Sequence, residues 1–192
     1  QALSCDKQGR LTTRDVTLTL IPYYAWAHRG SGEMAVWLPQ EMNATRPTPQ
    51  PTLASEATVS ASHQVKSLRA VKDGLSPKDE NDRPVPYYSL WPEKNSTQWV
   101  VYDLAAPATV SRAMVYWFDD APWGDCRVPQ SWKLYYKDAA GQWQPVVAKT
   151  AYGLLKGEPN EVSFEPVKTS ALKLEMQLQT EYSSGLFEWK VE

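Results

Sequence analysis

One loop of this chain gathers side chains able to hold a polyhydroxyl ligand: Asp119, Asp120, Trp123 and Arg127, within the run Trp117–Asp138, WFDDAPWGDCRVPQSWKLYYKD. An ionised carboxylate can accept two hydroxyl donors, while an indole face covers the apolar C–H side of a sugar ring. Trp123 supplies the face and Arg127 a donor, so the group reads as a saccharide-binding surface. The alternative is that Asp119 and Asp120 cap a turn and pair with Arg127 to hold the loop in shape. A second candidate surface lies in Asp79 to Trp91, DENDRPVPYYSLW, where Tyr87 and Tyr88 sit near Arg83 in a long polar loop.

Catalytic chemistry is harder to assemble. Glycoside hydrolysis uses two carboxyl groups held about 5–5.5 Å or 6.5–9.5 Å apart across one bond. Asp119 and Asp120 are adjacent, and on an extended chain neighbours point to opposite faces. His28 and His63 are the only histidines and fall in different segments, so no Ser-His-Asp constellation is visible. Cys126 has Arg127 beside it, which can lower a thiol pKa. A lone cysteine entering a strand is more commonly a small packing residue. Cys5 and Cys126 lie too far apart to make a disulfide framework or a zinc spacing.

These residues need a rigid scaffold, and the chain supplies a β one. In Leu172 to Leu178, apolar residues alternate with Lys173, Glu175 and Gln177, the pattern of a half-buried antiparallel strand. Ala113 to Phe118 is apolar on both faces, as a central strand covered on each side would be. Trp132–Lys137 and Trp143–Val147 flank the turn-prone Asp138-Ala-Ala-Gly141 and predict a hairpin. Trp99–Leu104 and Gly185–Val191 complete the set. Short strands with turns between them and no helical stripe predict an all-β antiparallel sandwich or jelly roll. Asn43–Leu53, NATRPTPQPTL, alternates proline with polar residues and reads as a linker over residues 43–54. Before it, residues 1–42 carry apolar runs over Val16–Trp26 and Glu33–Pro39. These predict a hairpin, the terminal strands of a preceding β-sandwich domain, which is too little to fold alone.

Composition excludes some partners. Lys and Arg total 20 against 22 Asp and Glu, a net charge of −2, which leaves no basic stripe for nucleic acid. Neither a signal-peptide pattern nor an apolar run of about 18 residues is present, so no membrane span is expected. Nine Trp and ten Tyr against three Phe favour aromatics that stack while partly wet.

Ala70-Val-Lys-Asp73-Gly74, Trp91, QWVVYDL, VPQSWKLYYKDAAGQWQPV and a closing GLFEWKV occur in the order found in discoidin-like, galactose-binding-like (F5/8 type C) β-sandwiches, and residues 55–192 resemble that fold. The front segment, LTLIPYYAWAHRGSGEMAVWLP, resembles the end of the β-sandwich that follows the catalytic helical barrel in bacterial β-L-arabinofuranosidase-like glycoside hydrolases. The resemblance implies a non-catalytic accessory domain of a secreted or periplasmic glycosidase, with carbohydrate and the parent's catalytic domain as partners. In those enzymes the catalytic glutamates and a metal-bound cysteine belong to the barrel, no part of which occurs here. A purely structural domain that packs on the barrel is the alternative. The resemblance also places Trp91 at the start of a core strand and implies a structural calcium held by Asp73 and Glu188. A plain Asx turn at Asp73 is the alternative.

Overall fold

The computed structural model describes residues 2–5, 11–14 and 51–192. By internal contacts the chain divides into two compact units, Gln1–Pro47 and Thr48–Glu192. In the first, β1 (Ala2–Cys5) and β2 (Leu11–Arg14) form an antiparallel pair. The runs Val16–Trp26 and Glu33–Pro39, His28, and residues 43–50 of the expected linker lie outside the described residues. Leu53 and Ala54 belong not to a linker but to a one-turn helix, α1 (Leu53–Glu56), capped reciprocally by Thr52 and Ser55.

The second unit is an antiparallel β-sandwich, as the period-two pattern predicts. Its strands are β3 (Thr58–Ala61), β4 (Tyr88–Ser89), β5 (Thr97–Phe118), β6 (Ser131–Lys137), β7 (Trp143–Pro145), β8 (Asn160–Gln177) and β9 (Gly185–Val191). They are ordered β4-β9-β5-β8-β6-β7, with β3 also on β5. The boundaries of β9 match those expected. The main difference is that Trp99–Leu104 and Ala113–Phe118 are two halves of one 22-residue strand. β8 likewise begins twelve residues before Leu172. Register shifts between Asp103 and Ala108 and between Val110 and Arg112 break the β5–β8 ladder. Such irregularities bend a strand, so the first half of β5 pairs β3 and the end of β8, while the second half pairs β9 and the start of β8.

Val100, Tyr102, Val115, Trp117, Leu134, Phe164, Leu172, Leu174, Met176 and Trp189 fill the core. The doubly apolar pattern of Ala113–Phe118 has two destinations. Ala113, Val115 and Trp117 face this core, whereas Phe118 joins Phe187 and Cys126 in a second cluster roofed by Val85, Tyr87 and Tyr116. A bulge opposite Tyr116/Trp117 lets Leu186 and Trp189, three residues apart, both reach the main core. A 3-10 helix over Lys66–Lys72 is held to β9 by Tyr102, whose hydroxyl donates to the carbonyls of Val71 (2.7 Å) and Trp189 (2.9 Å).

Trp91 is not a core residue. β4 alternates, Tyr88 and Leu90 facing inward and Ser89 outward, so the next side chain, Trp91, is 59% exposed.

Candidate functional site

Loops joining the strands meet at one end of the sandwich and are bonded to one another. Asn95 N–H donates to Gln179 O (2.9 Å), Leu90 N–H to Ser184 O (3.0 Å), Arg127 N–H to Ser183 O and Ser183 N–H to Asp125 O (both 2.9 Å). The long 75–87 loop joins them through Asp119 N–H, which donates to Glu80 O at 2.8 Å.

Within this cluster the six residues predicted to grip a sugar have different fates. Asp119 is fully buried: its oxygens accept from the Ala121 (3.1 Å) and Val128 (3.3 Å) amides, and Lys156 Nζ lies 2.8 Å away. Asp120 is buried too, accepting from Cys126 N–H at 2.8 Å, with Arg127 Nη1 at 3.5 Å and Arg83 Nη2 at 3.4 Å. Both carboxylates hold the loop together and are not sugar ligands, because their acceptor positions are occupied from within. Gly124 is part of the same design: a Cβ there would overlap the Asp120 carboxylate.

The tyrosine pair divides, and Tyr88 is the one corrected. Tyr88 is a core residue, fully buried, its hydroxyl donating to His63 O at 2.7 Å. Tyr87 is half-buried and stacked flat on Phe118, centroids 3.8 Å apart at 12°, so one of its faces is already covered. Arg127 donates through Nη1 to the carbonyls of Gly124 (2.8 Å) and Cys126 (2.7 Å), and its guanidinium lies 4.4 Å from the Tyr182 ring centroid. Trp123 alone stands free, 88% exposed at the tip of the β5–β6 loop. Cys126 is buried, and burial pushes its thiol pKa up, which fits packing and not reactivity. His63 Nδ1 lies 3.6 Å from Glu93 Oε1, far from any nucleophile arrangement.

At this end the β5–β6 and β8–β9 loops line an open cleft of about 490 Å³, within the size range of small-ligand sites. Val128 and Gln130 form one side and Leu154 another, while Thr180, Glu181 and Tyr182 come from the β8–β9 loop. Tyr182 is 36% exposed. It escapes a sequence reading because it lies outside any alternating run; its one signal is an aromatic just before the small residues Ser183-Ser184-Gly185.

At the opposite margin of β9, Asp73 and Glu188 do come together. Gly74 N–H donates to Glu188 Oε2 at 3.0 Å, and Leu75 N–H donates to Asp73 Oδ1 at 2.8 Å, so the Asx turn is present. Burial drives Glu188 up to about 8, opposed by the Gly74 amide and reinforced by the Asp73 charge. Asp73 is also raised, again by burial first. Two crowded carboxyls whose charged forms are disfavoured suit a cation. Among the described residues no third His, Cys, Asp or Glu joins them.

Residues 55–188 match the model of the F5/8 type C domain. The chain belongs to that family. Ahead of the F5/8 type C domain, residues 2–39 match the glycoside hydrolase family 127 C-terminal domain. Both are non-catalytic accessory types. Solved structures repeat the fold. A Streptococcus pneumoniae β-galactosidase (BgaA) chain is 20% identical, with 70% of this chain and 90% of that one covered and a TM-score of 0.58. Chitosan-binding module 1 of a Paenibacillus sp. IK-5 chitosanase/glucanase is 18% identical, covering 74% and 98%, with a TM-score of 0.53. The family 32 CBM of Clostridium perfringens NanJ, in complex with galactose, is 16% identical, covering 72% and 95%, with a TM-score of 0.54. At these identities the likeness establishes the sandwich of the F5/8 type C domain, not its ligand. Among the described residues no helix is long and apolar enough to cross a membrane.

Proposed function

We propose that this chain is a carbohydrate-binding accessory piece of a secreted or periplasmic glycoside hydrolase, holding plant or host glycan at the loop end of its F5/8 type C domain. The observation that carries this reading is Trp123, an indole 88% exposed on a loop otherwise tied down by the contacts of Arg83 and Arg127 with the buried Asp120 carboxylate. An unconstrained loop would lose affinity to ordering; a preorganised one avoids much of that cost. The sugar-binding neighbours in the same fold, a chitosan-binding module and a CBM solved with galactose, support the ligand class. The glycoside hydrolase family 127 match supports the parent enzyme.

Binding through one or two rings on an open surface should be weak, on the order of 10⁻⁴ to 10⁻³ M, or about 4–5.5 kcal/mol. A glycan array with the full chain, and with Trp123→Ala as control, tests it. Signal lost in the variant supports the reading. No signal for the wild type leaves the scaffold alternative, a domain that packs on the parent's catalytic barrel, which the inward-facing Asp119 and Asp120 favour.

Calcium at Asp73 and Glu188 is part of the proposal. The ion would tie the Asp73-Gly74 turn to β9 and relieve the repulsion between the two carboxylates. Calorimetric titration of the chelated protein with calcium tests it: heat and a raised melting temperature are expected, and the absence of both removes the ion.

A further inference from the structure

Arg127 ties the Trp123 loop to the Tyr182 cleft. Its Nη1 donates to Gly124 O, the residue next to Trp123, at 2.8 Å, while its guanidinium covers part of the Tyr182 ring at 4.4 Å. The following residue, Val128, is itself a wall of the cleft. Trp123 and Val128 are five residues apart, a separation of at most about 19 Å at 3.8 Å per step. The exposed indole and the cleft wall therefore lie within the reach of one oligosaccharide.

We propose that this surface binds an oligosaccharide at two points, one sugar unit against Trp123 and another in the cleft beside Tyr182, and that it rejects uronic acids at the cleft end. This rests on the carbohydrate-binding reading and deepens it. Trp123 is not among the residues lining the cleft, so the two points are separate subsites. The cleft has the mixed lining a sugar ring needs: Tyr182 and Leu154 for C–H faces, and Gln130 and Thr180 for hydroxyls. Its one charged lining residue is Glu181, which has no ion-pair partner among the described residues. A ligand carboxylate placed there would meet like charge with no cation among the lining residues to offset it. The nearest guanidinium, Arg127, is committed to Asp120 and to two carbonyls. A neutral or amine-bearing unit carries no such penalty.

The test is a glycan array of neutral, amino and uronic acid oligosaccharides from one to six units, followed by titration of the best binder and its shorter homologues. Expected is a gain of tenfold or more from one unit to the length that spans both points, and no binder with a uronic acid at the cleft end. Trp123→Ala and Gln130→Ala should each lower affinity for the long ligand several-fold, with an unchanged melting temperature. Gln130 is included because removing Tyr182 also uncovers Arg127 and can disturb the loop. Glu181→Gln should admit uronic acid ligands that the wild type rejects. Monosaccharides bound as tightly as oligomers, or indifference to Gln130→Ala, would overturn two-point binding while the carbohydrate reading stands. Uronic acids bound equally by wild type and Glu181→Gln would overturn the charge selection. An array with no binder at all overturns both the inference and the reading beneath it.

Discussion

Arg83 reaches Asp120 across 37 residues of sequence, its Nη2 3.4 Å from Oδ2, while Arg127 Nη1 lies 3.5 Å from the other oxygen. Two segments that each look like a binding surface in sequence, Asp79–Trp91 and Trp117–Asp138, are thereby one structure. Arg83 is half-exposed, its side chain 51% accessible, and its guanidinium also lies 5.5 Å from the Phe118 ring centroid. Asp120 is the pivot of the loop end and not its ligand.

Replacing that pivot should destabilise. Asp120→Ala leaves the buried Cys126 amide without an acceptor and both guanidiniums without their shared anion. The expected loss is about 2–4 kcal/mol, read as a lower urea midpoint. Asp120→Asn should lose less, because an amide oxygen can still accept from Cys126 N–H. Equal stability of Asp120→Ala and wild type would contradict the role.

The pH dependence of stability follows from Glu188. Its folded pKa of about 8 stands above the ordinary 4.5, so between those values the folded chain retains a proton that the unfolded chain releases. Stability therefore falls as pH rises from about 4.5 to 8, by up to about 1.4 kcal/mol per unit, and levels off above. In chelated protein, urea midpoints at pH 5, 6.5 and 8 should fall for wild type and stay flatter for Glu188→Gln, which should be the more stable at pH 8. An identical slope in both would exclude Glu188 as the cause.

Trp123 and Tyr88 should separate cleanly. Trp123→Ala removes an exposed ring and should change stability by no more than about 0.5 kcal/mol, while lowering saccharide affinity. Tyr88→Phe removes the hydroxyl that bonds His63 O and should cost about 1 kcal/mol, with affinity unchanged. Thermal melts beside saccharide titrations give both readings, and the reverse pattern would exchange plate and core.

Cys126 should be inert in the folded protein. The thiol is buried, and burial holds its pKa above the ordinary thiol value. A disulfide reagent at pH 8, with labelled peptides mapped by mass spectrometry, should modify Cys126 only at the rate of unfolding. Rapid labelling would contradict the packing role.

Much of the scaffold is readable from residue order because strands have a period. Leu172, Leu174 and Met176 point inward as alternation requires, and the bounds of β9 match those expected. The period does not report where a strand bends, so β5 reads as two strands: the residues between Asp103 and Ala108 keep β-type character while leaving the ladder. It does not report a second cover either. Phe118 faces away from the main core and is buried only because Val85 and Tyr87 arrive from the long loop before β4.

By itself the amino-acid order determined the all-β class, the succession of strands along the chain and the loop on which Trp123 stands, since alternation, turn residues and the family's motif order are local or linear signals. Only the tertiary structure decided that Asp119, Asp120 and Tyr88 face inward, that Trp91 faces out, and that Tyr182 walls a cleft. The physical reason is that loops have no repeat. The direction of a loop side chain is set by partners far along the chain, Glu80, Arg83 and Lys156 for the aspartates, and those meet only when the sandwich closes.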